Sequence, residues 1–251
     1  MISIEDLKEH GRLNNLNLGQ SEKSLFQDII LFLLYQEYGQ ELIFKGGTAL
    51  TKCYGLNRFS EDLDFTSNGN LKNIYDILDN GLNRFNIEHE IKKENNKQES
   101  FKIKILIKGP TYVNIRQSLC SLRIDISQRE KIVKKPIIKT IKTFNLPIPS
   151  FDIIVMDLEE IFAEKIRAII TRNQARDVYD LFYILEYPSS IKLINEKLKF
   201  YNLSFSLKTF ITNLNKKEKI WDSELNNLIL NYPNFEVVKK EIIKTLKKLR
   251  H

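Results

Sequence analysis

Apolar positions recur along this chain with two periods, and the places where the period changes outline its organisation. From Ser21, a residue suited to capping a helix, Leu25, Ile29, Phe32 and Leu33 return at helical spacing as far as Tyr38, and Gly39 ends the run. A short helix is also expected over Ile4 to His10. Leu42 to Phe44 is a brief apolar run entering Lys45-Gly46-Gly47-Thr48, and Ala49 to Tyr54 then reads as a helical turn stopped by Gly55. Asp62 to Phe65 alternates with period two, as a strand does. Ile74, Ile77, Leu78, Leu82 and Phe85 mark an amphipathic helix within residues 71 to 85. Glu88 to Ser100, charged and Asn-rich, reads as a connection or an irregular edge. Phe101 to Ile107 and Leu119 to Ile126 are expected strands on either side of a turn at Gly109-Pro110. Lys131 to Lys142, with Pro136, reads as an edge or loop, and Pro147-Ile148-Pro149 marks a boundary. Beyond it the periodicity is helical, over Asp157 to Thr171, Asp177 to Leu185, Ile191 to Phe200, Ser206 to Leu214 and Phe235 to Leu249. Two lobes are therefore expected, residues 1–150 and 151–251, with no internal repeat and no low-complexity tract.

Composition narrows the setting. With 251 residues and 42% hydrophobic content the chain can bury a sizeable core. Two cysteines, Cys53 and Cys120, without CxxC spacing and far from the three histidines, indicate neither a zinc site nor a disulfide framework. The most apolar run, Ile29 to Tyr35, is too short to span a bilayer, and the N-terminus lacks a basic segment followed by a signal-type apolar core, so a cytoplasmic protein without membrane contact is expected. The 39 basic residues outnumber the 32 acidic ones, for a net charge of +7. From Ser189 onward 13 basic residues face 6 acidic ones, so the whole excess lies in the C-terminal segment. Lys239, Lys240, Lys244, Lys247, Lys248 and Arg250 could meet nucleic-acid phosphates, or form a solvated helix face.

Four groups of residues carry candidate chemistry. The strand–glycine turn–helix order at residues 42–54 brings backbone N–H groups close to an anion at a helix N-terminus, although tight turns use the same residues. In a strand, Asp62 and Asp64 share one face, where two carboxylates repel unless a cation lies between them; the alternative is a solvent-facing turn with incidental acids. Asp125 shares its face with Arg123, as a third metal ligand brought in by strand pairing or as part of a wet sheet face. Lys165 falls inside the apolar arc of its helix, between Ile161 and Ile169, where it must snorkel out or meet an anion in an interlobe cleft. Asp177 and Asp180, each explicable by the helix dipole, form with Arg176 and Lys165 a candidate polar cluster.

Lys45-Gly46-Gly47-Thr48, Arg58-x-Ser60-Glu61-Asp62-Leu63-Asp64-Phe65, Asp125-Ile-Ser-x-x-Glu130, Ala163-Glu164-Lys165-x-Arg167-Ala168 and Arg176-Asp177-x-x-Asp180-Leu181 occur here in an order that resembles the AbiEii/AbiGii-type toxin family of the DNA polymerase β-like nucleotidyltransferase superfamily. The resemblance runs from about residue 20 to the C-terminus. It implies an α+β fold, a nucleotidyltransferase-type mixed sheet with flanking helices followed by a helical C-terminal lobe, with the nucleotide lying between them. It further implies that Gly46, Gly47 and Thr48 contact the triphosphate and that Asp62 and Asp64, with Asp125 as a third carboxylate, bind Mg²⁺. Lys165 would neutralise triphosphate charge, and Asp180 or Asp177 would be the late acidic residue, with Asp180 favoured. The implied activity is Mg²⁺-dependent transfer of a nucleotide from an NTP to an acceptor hydroxyl, with RNA, in particular a tRNA 3′ end, as acceptor and an antitoxin protein as partner. Transfer to a protein hydroxyl, or a non-catalytic nucleotide- or RNA-binding module, are the alternatives.

Overall fold

The structure, a computed structural model, describes residues 2–94, 100–143 and 145–249. The chain divides into two compact units. The first comprises residues 1–54, 59–131 and 136–155; the second comprises 55–58, 132–135 and 156–251.

The first unit is a seven-stranded mixed sheet with helices. In chain order its strands are β1 (Leu42–Lys45), β2 (Asp62–Ser67), β3 (His89–Glu94), β4 (Ser100–Ile107), β5 (Cys120–Ser127), β6 (Ile137–Ile141) and β7 (Phe151–Val155), lying in the order β3-β4-β5-β2-β1-β7-β6. Strands β2 and β5 are parallel, as are β1 and β7, while the remaining pairs are antiparallel. Because successive side chains in a strand point to opposite faces, Leu63 and Phe65, Ile103 and Ile105, and Leu122, Ile124 and Ile126 all enter one buried layer. That layer belongs to a core shared with α2 (Leu18–Tyr38), which supplies Leu25, Phe26, Ile29, Ile30, Leu33 and Leu34, and with α4 (Ile74–Arg84), which supplies Ile74, Leu78 and Leu82. Helix α1 (Ile4–Asn14) and α3 (Gly46–Tyr54) complete the unit.

Several boundaries differ from those the periodicity suggests. Helix α2 starts earlier than Ser21, because Asn17 accepts from the N–H of Gln20 at 2.9 Å and the Gln20 side chain accepts from the N–H of Asn17 at 3.1 Å, a closed capping box. Of the two readings for residues 88–100, a connection or an irregular edge, His89–Glu94 takes the second as an edge strand, and residues 95–99 lie outside the described residues. Phe151–Val155 is a strand of the same sheet, so the first unit runs to Val155.

The second unit is helical: α5 (Leu158–Thr171), α6 (Arg176–Tyr183), α7 (Ile191–Lys199), α8 (Leu207–Asn215), α9 (Trp221–Leu225) and α10 (Phe235–Leu246). Asp157 caps α5 by accepting from the N–H of Glu159 at 2.9 Å. Glu224 on α9 accepts from the N–H groups of Ala175 and Arg176 at 2.8 and 3.3 Å, and so closes the start of α6. Trp221, almost fully buried, packs against Tyr179, Tyr232 and Phe235. Glu160, with no exposed surface, accepts from the N–H groups of Val133 and Lys134 and is ion-paired to Lys197 at 2.5 Å, which ties the segment 132–135 to α5.

Candidate active site

The sheet's other face carries the paired aspartates. Asp62 and Asp64 alternate with the buried Leu63 and Phe65 along β2, and both are half-buried. In register, Lys45 of β1 lies opposite Asp64, while Arg123 and Asp125 of β5 lie beside Asp62 and Asp64. Strand pairing thus brings Asp125 alongside Asp64, as the sequence pattern suggests. Asp125 is nonetheless ion-paired to Lys102 of β4 at 3.2 Å. Among the described residues no group of three or more His, Cys, Asp or Glu side chains is arranged to hold a metal ion.

The glycine turn is shaped around the second aspartate. Gly46 has φ +76°, a left-handed conformation, and a Cβ added there would fall on the carboxylate of Asp64. The side chain of Asp64 therefore occupies the space that glycine leaves at the start of α3. Thr48 is buried, and its hydroxyl donates to the carbonyl of Asp62 at 2.5 Å. That bond fixes the first turn of α3 against the strand that carries both aspartates, and it makes Thr48 an anchor of that strand. Lys45, at the end of β1, reaches Glu130 at 3.4 Å, and both side chains are largely covered.

A second cluster lies in the helical unit. Lys165 of α5 is 6% exposed, and its ammonium meets Asp177 Oδ1 at 2.9 Å and Asp180 Oδ2 at 2.6 Å. Asp177 and Asp180, three residues apart on α6, are both fully buried. Both aspartates hold Lys165. Asp180 also takes a bidentate pair from Arg58, Nε to Oδ1 at 2.6 Å and Nη2 to Oδ2 at 2.7 Å. Asp177 takes one from Arg172, Nε to Oδ2 at 2.7 Å and Nη2 to Oδ1 at 2.8 Å. Such forked pairs fix the plane of a carboxylate as well as its charge.

Electrostatics follows the geometry. Burial pushes the Asp177 carboxyl up, but Lys165 and Arg172 outweigh it and hold the group well below the usual carboxylate range. Burial is likewise overcome at Asp180 by Arg58 and Lys165, and its pKa is lowered. For Arg58 burial acts to lower the pKa, and Asp180 reverses the sign. All these charges are thus retained in a place where solvation is poor. An ammonium has three protons; two of those on Lys165 face the aspartates, and among the described residues it has no further partner.

Sequence reasoning located Lys165, Asp177 and Asp180 but assigned the accompanying arginine to Arg176, whose Nε instead donates to Gln174 at 3.2 Å. The partners that close the cluster are Arg58 and Arg172. Arg58 is 122 residues from Asp180 along the chain, a separation no periodicity reveals. Arg172 follows the last helical residue of α5, where a basic side chain ordinarily just complements the helix dipole. Local acids offset two lysines of the C-terminal segment: Lys239 pairs with Glu236 at 2.9 Å and Lys244 with Glu241 at 3.4 Å, while Arg250 lies outside the described residues.

The model of the AbiEii family, described as nucleotidyl transferase AbiEii toxin of type IV toxin–antitoxin systems, matches residues 31–240. Among solved structures the chain is similar to MenT4, a nucleotidyltransferase toxin from Mycobacterium tuberculosis H37Rv, with a TM-score of 0.68 at 18% identity over 100% of this chain and 91% of that one. It is also similar to JHP933 from Helicobacter pylori, with a TM-score of 0.57 at 18% identity over 91% and 90% of the two chains. At such identities these likenesses concern the fold. No curated protein sequence matches. The chain belongs to the AbiEii family, and is accordingly a nucleotidyltransferase of the toxin type found in type IV toxin–antitoxin systems. No helix among the described residues is long and apolar enough to cross a membrane.

Proposed function

We propose that the protein transfers a nucleotide from an NTP to an acceptor hydroxyl on RNA, a tRNA 3′ end in particular, with Mg²⁺ held by Asp62 and Asp64. The observation that carries this reading is the pair of aspartates on one face of β2, with Gly46 left-handed to make room for Asp64 and Thr48 bonded to the carbonyl between them and the turn. Two hard, half-buried carboxylates at adjacent same-face positions fit a small divalent cation that binds through one or two carboxylates plus substrate phosphates. When bound, such a metal would polarise the α-phosphate and offset charge on the departing pyrophosphate.

The chain's own residues have separable tasks. Asp62 and Asp64 supply the negative charge. Backbone N–H groups of Gly46 and Gly47, at the start of α3, offer donors to the phosphates without a Cβ in the way. The third proton of Lys165 is directed to triphosphate oxygens, and the two buried aspartates position that ammonium. Neither aspartate has exposed surface with which to meet substrate, so Asp177 and Asp180 act through Lys165. The acceptor hydroxyl oxygen bonds to the α-phosphorus and gives up its proton to water, the bond from the α-phosphorus to the oxygen bridging it to the β-phosphate breaks, and pyrophosphate leaves with the electron pair. The basic excess of the C-terminal segment favours a polyanionic acceptor, the antitoxin of the pair is a protein partner, and the reaction takes place in the cytoplasm.

Incubation with each α-labelled NTP, Mg²⁺ and total cellular RNA and protein, followed by gel separation, tests the acceptor. Label on RNA is expected, whereas label confined to protein would replace the RNA acceptor with a protein hydroxyl.

A further inference from the structure

Two carboxylates against one ammonium would leave Lys165 in a net negative setting, which repels a triphosphate. The two bidentate arginines change that sum. Arg58 engages both oxygens of Asp180 and Arg172 both oxygens of Asp177, so each aspartate already has a cation of its own. Across the five groups three positive charges face two negative ones, and Lys165, whose ammonium meets one oxygen of each aspartate, is the cation that both aspartates share. Lys217, whose side chain is buried, also feels Asp177; burial and the neighbouring Lys216 lower its pKa, while Asp177 and Glu224 act to raise it, so these outer groups do not make the surplus negative.

We infer that Arg172 is a positioning residue of nucleotidyl transfer: by neutralising Asp177 and fixing its plane, it leaves Lys165 net cationic toward the NTP. This rests on the reading of Lys165 as the triphosphate contact. Arg58 does the same for Asp180, but its side chain is only 2% exposed and its removal would strand a buried carboxylate. Arg172 is 50% exposed at the side chain, and Lys165 stays on Asp177 when it is changed, so the structural cost is read from the unfolding of the same variants. Gln at this position keeps a donor but removes the charge.

The test compares K165Q, R172Q, R172K and the double variant R172Q/D177N. Each is assayed for KM and kcat with whichever of ATP, GTP, CTP and UTP the wild-type protein transfers fastest. Thermal unfolding is followed in parallel. R172Q is expected to raise KM for the NTP about tenfold, with a smaller change in kcat. R172K restores charge and is expected to recover most of the loss. In R172Q/D177N one charge of each sign has gone, the surplus returns to Lys165, and KM is expected to fall back toward wild type. A double variant as impaired as R172Q would overturn the charge argument, since Arg172 would then act by touching substrate itself. Unchanged KM in R172Q together with raised KM in K165Q would also overturn it while leaving Lys165 as the phosphate contact; unchanged KM in K165Q would remove that contact itself.

Discussion

Asp180 shows how little a residue's neighbours in sequence say about its task. It follows a normal helical turn and could serve as a dipole-complementing acid, yet it is fully buried and holds Arg58 and Lys165 together. Replacing it with Ala leaves two buried cations with one carboxylate between them, and a loss of about 3–5 kcal/mol in unfolding free energy is expected by denaturant titration. The pH dependence has a fixed sign. The folded-state pKa lies below the ordinary aspartate value of 3.8, so the contribution is fully present above that value and is lost as pH falls toward the folded-state pKa. Wild-type stability should therefore decline more steeply below about pH 4 than that of Asp180→Asn. Lys165 was legible at this scale because a lysine inside an apolar arc needs an anion. The identity of its anions was legible only in part, since Arg58 and Arg172 reach them from positions that carry no periodic signal.

At the scale of elements, most helices and the central strands followed from periodicity, while the strands toward the sheet's edges, β3, β6 and β7, were hidden. His89–Glu94 is an edge strand with four charged residues, so its alternation is hidden by solvent exposure on both faces. Phe151–Val155 follows Pro147 and Pro149 and reads as the start of a new lobe, but it inserts beside β1 in parallel, a non-local pairing invisible in sequence. The helix α4 contains Gly81 in its interior, where Ala has a better intrinsic propensity by about 1 kcal/mol. A Cβ there would meet both Leu33 methyl carbons at 2.6 Å and its Cγ at 3.0 Å, so the whole side chain would have to move in a filled core. Packing is expected to win, with Gly81→Ala destabilised by about 1–2 kcal/mol net in thermal or chemical unfolding. A more stable variant would mean that α2 and α4 can separate at no cost.

For the molecule as a whole, charge is the property that bears on its acceptor. The basic excess was read from the sequence, and the structure pairs two of its lysines, Lys239 and Lys244, with the glutamates three residues before them. Lys240, Lys247 and Lys248 remain exposed on or just beyond α10. Neutralising these three should weaken RNA binding and reduce its salt slope by about 2, whereas an unaltered slope would assign that face to solvent. The central claim, however, is that two aspartates on one strand drive the transfer. It is tested most directly by α-labelled NTP incorporation into RNA with wild-type protein and with Asp64→Asn, at matched folded concentration. The account predicts labelled RNA with wild type and a loss of about a hundredfold or more with Asp64→Asn, at an unfolding temperature equal to or above that of the wild type. Undiminished labelling by Asp64→Asn would contradict it.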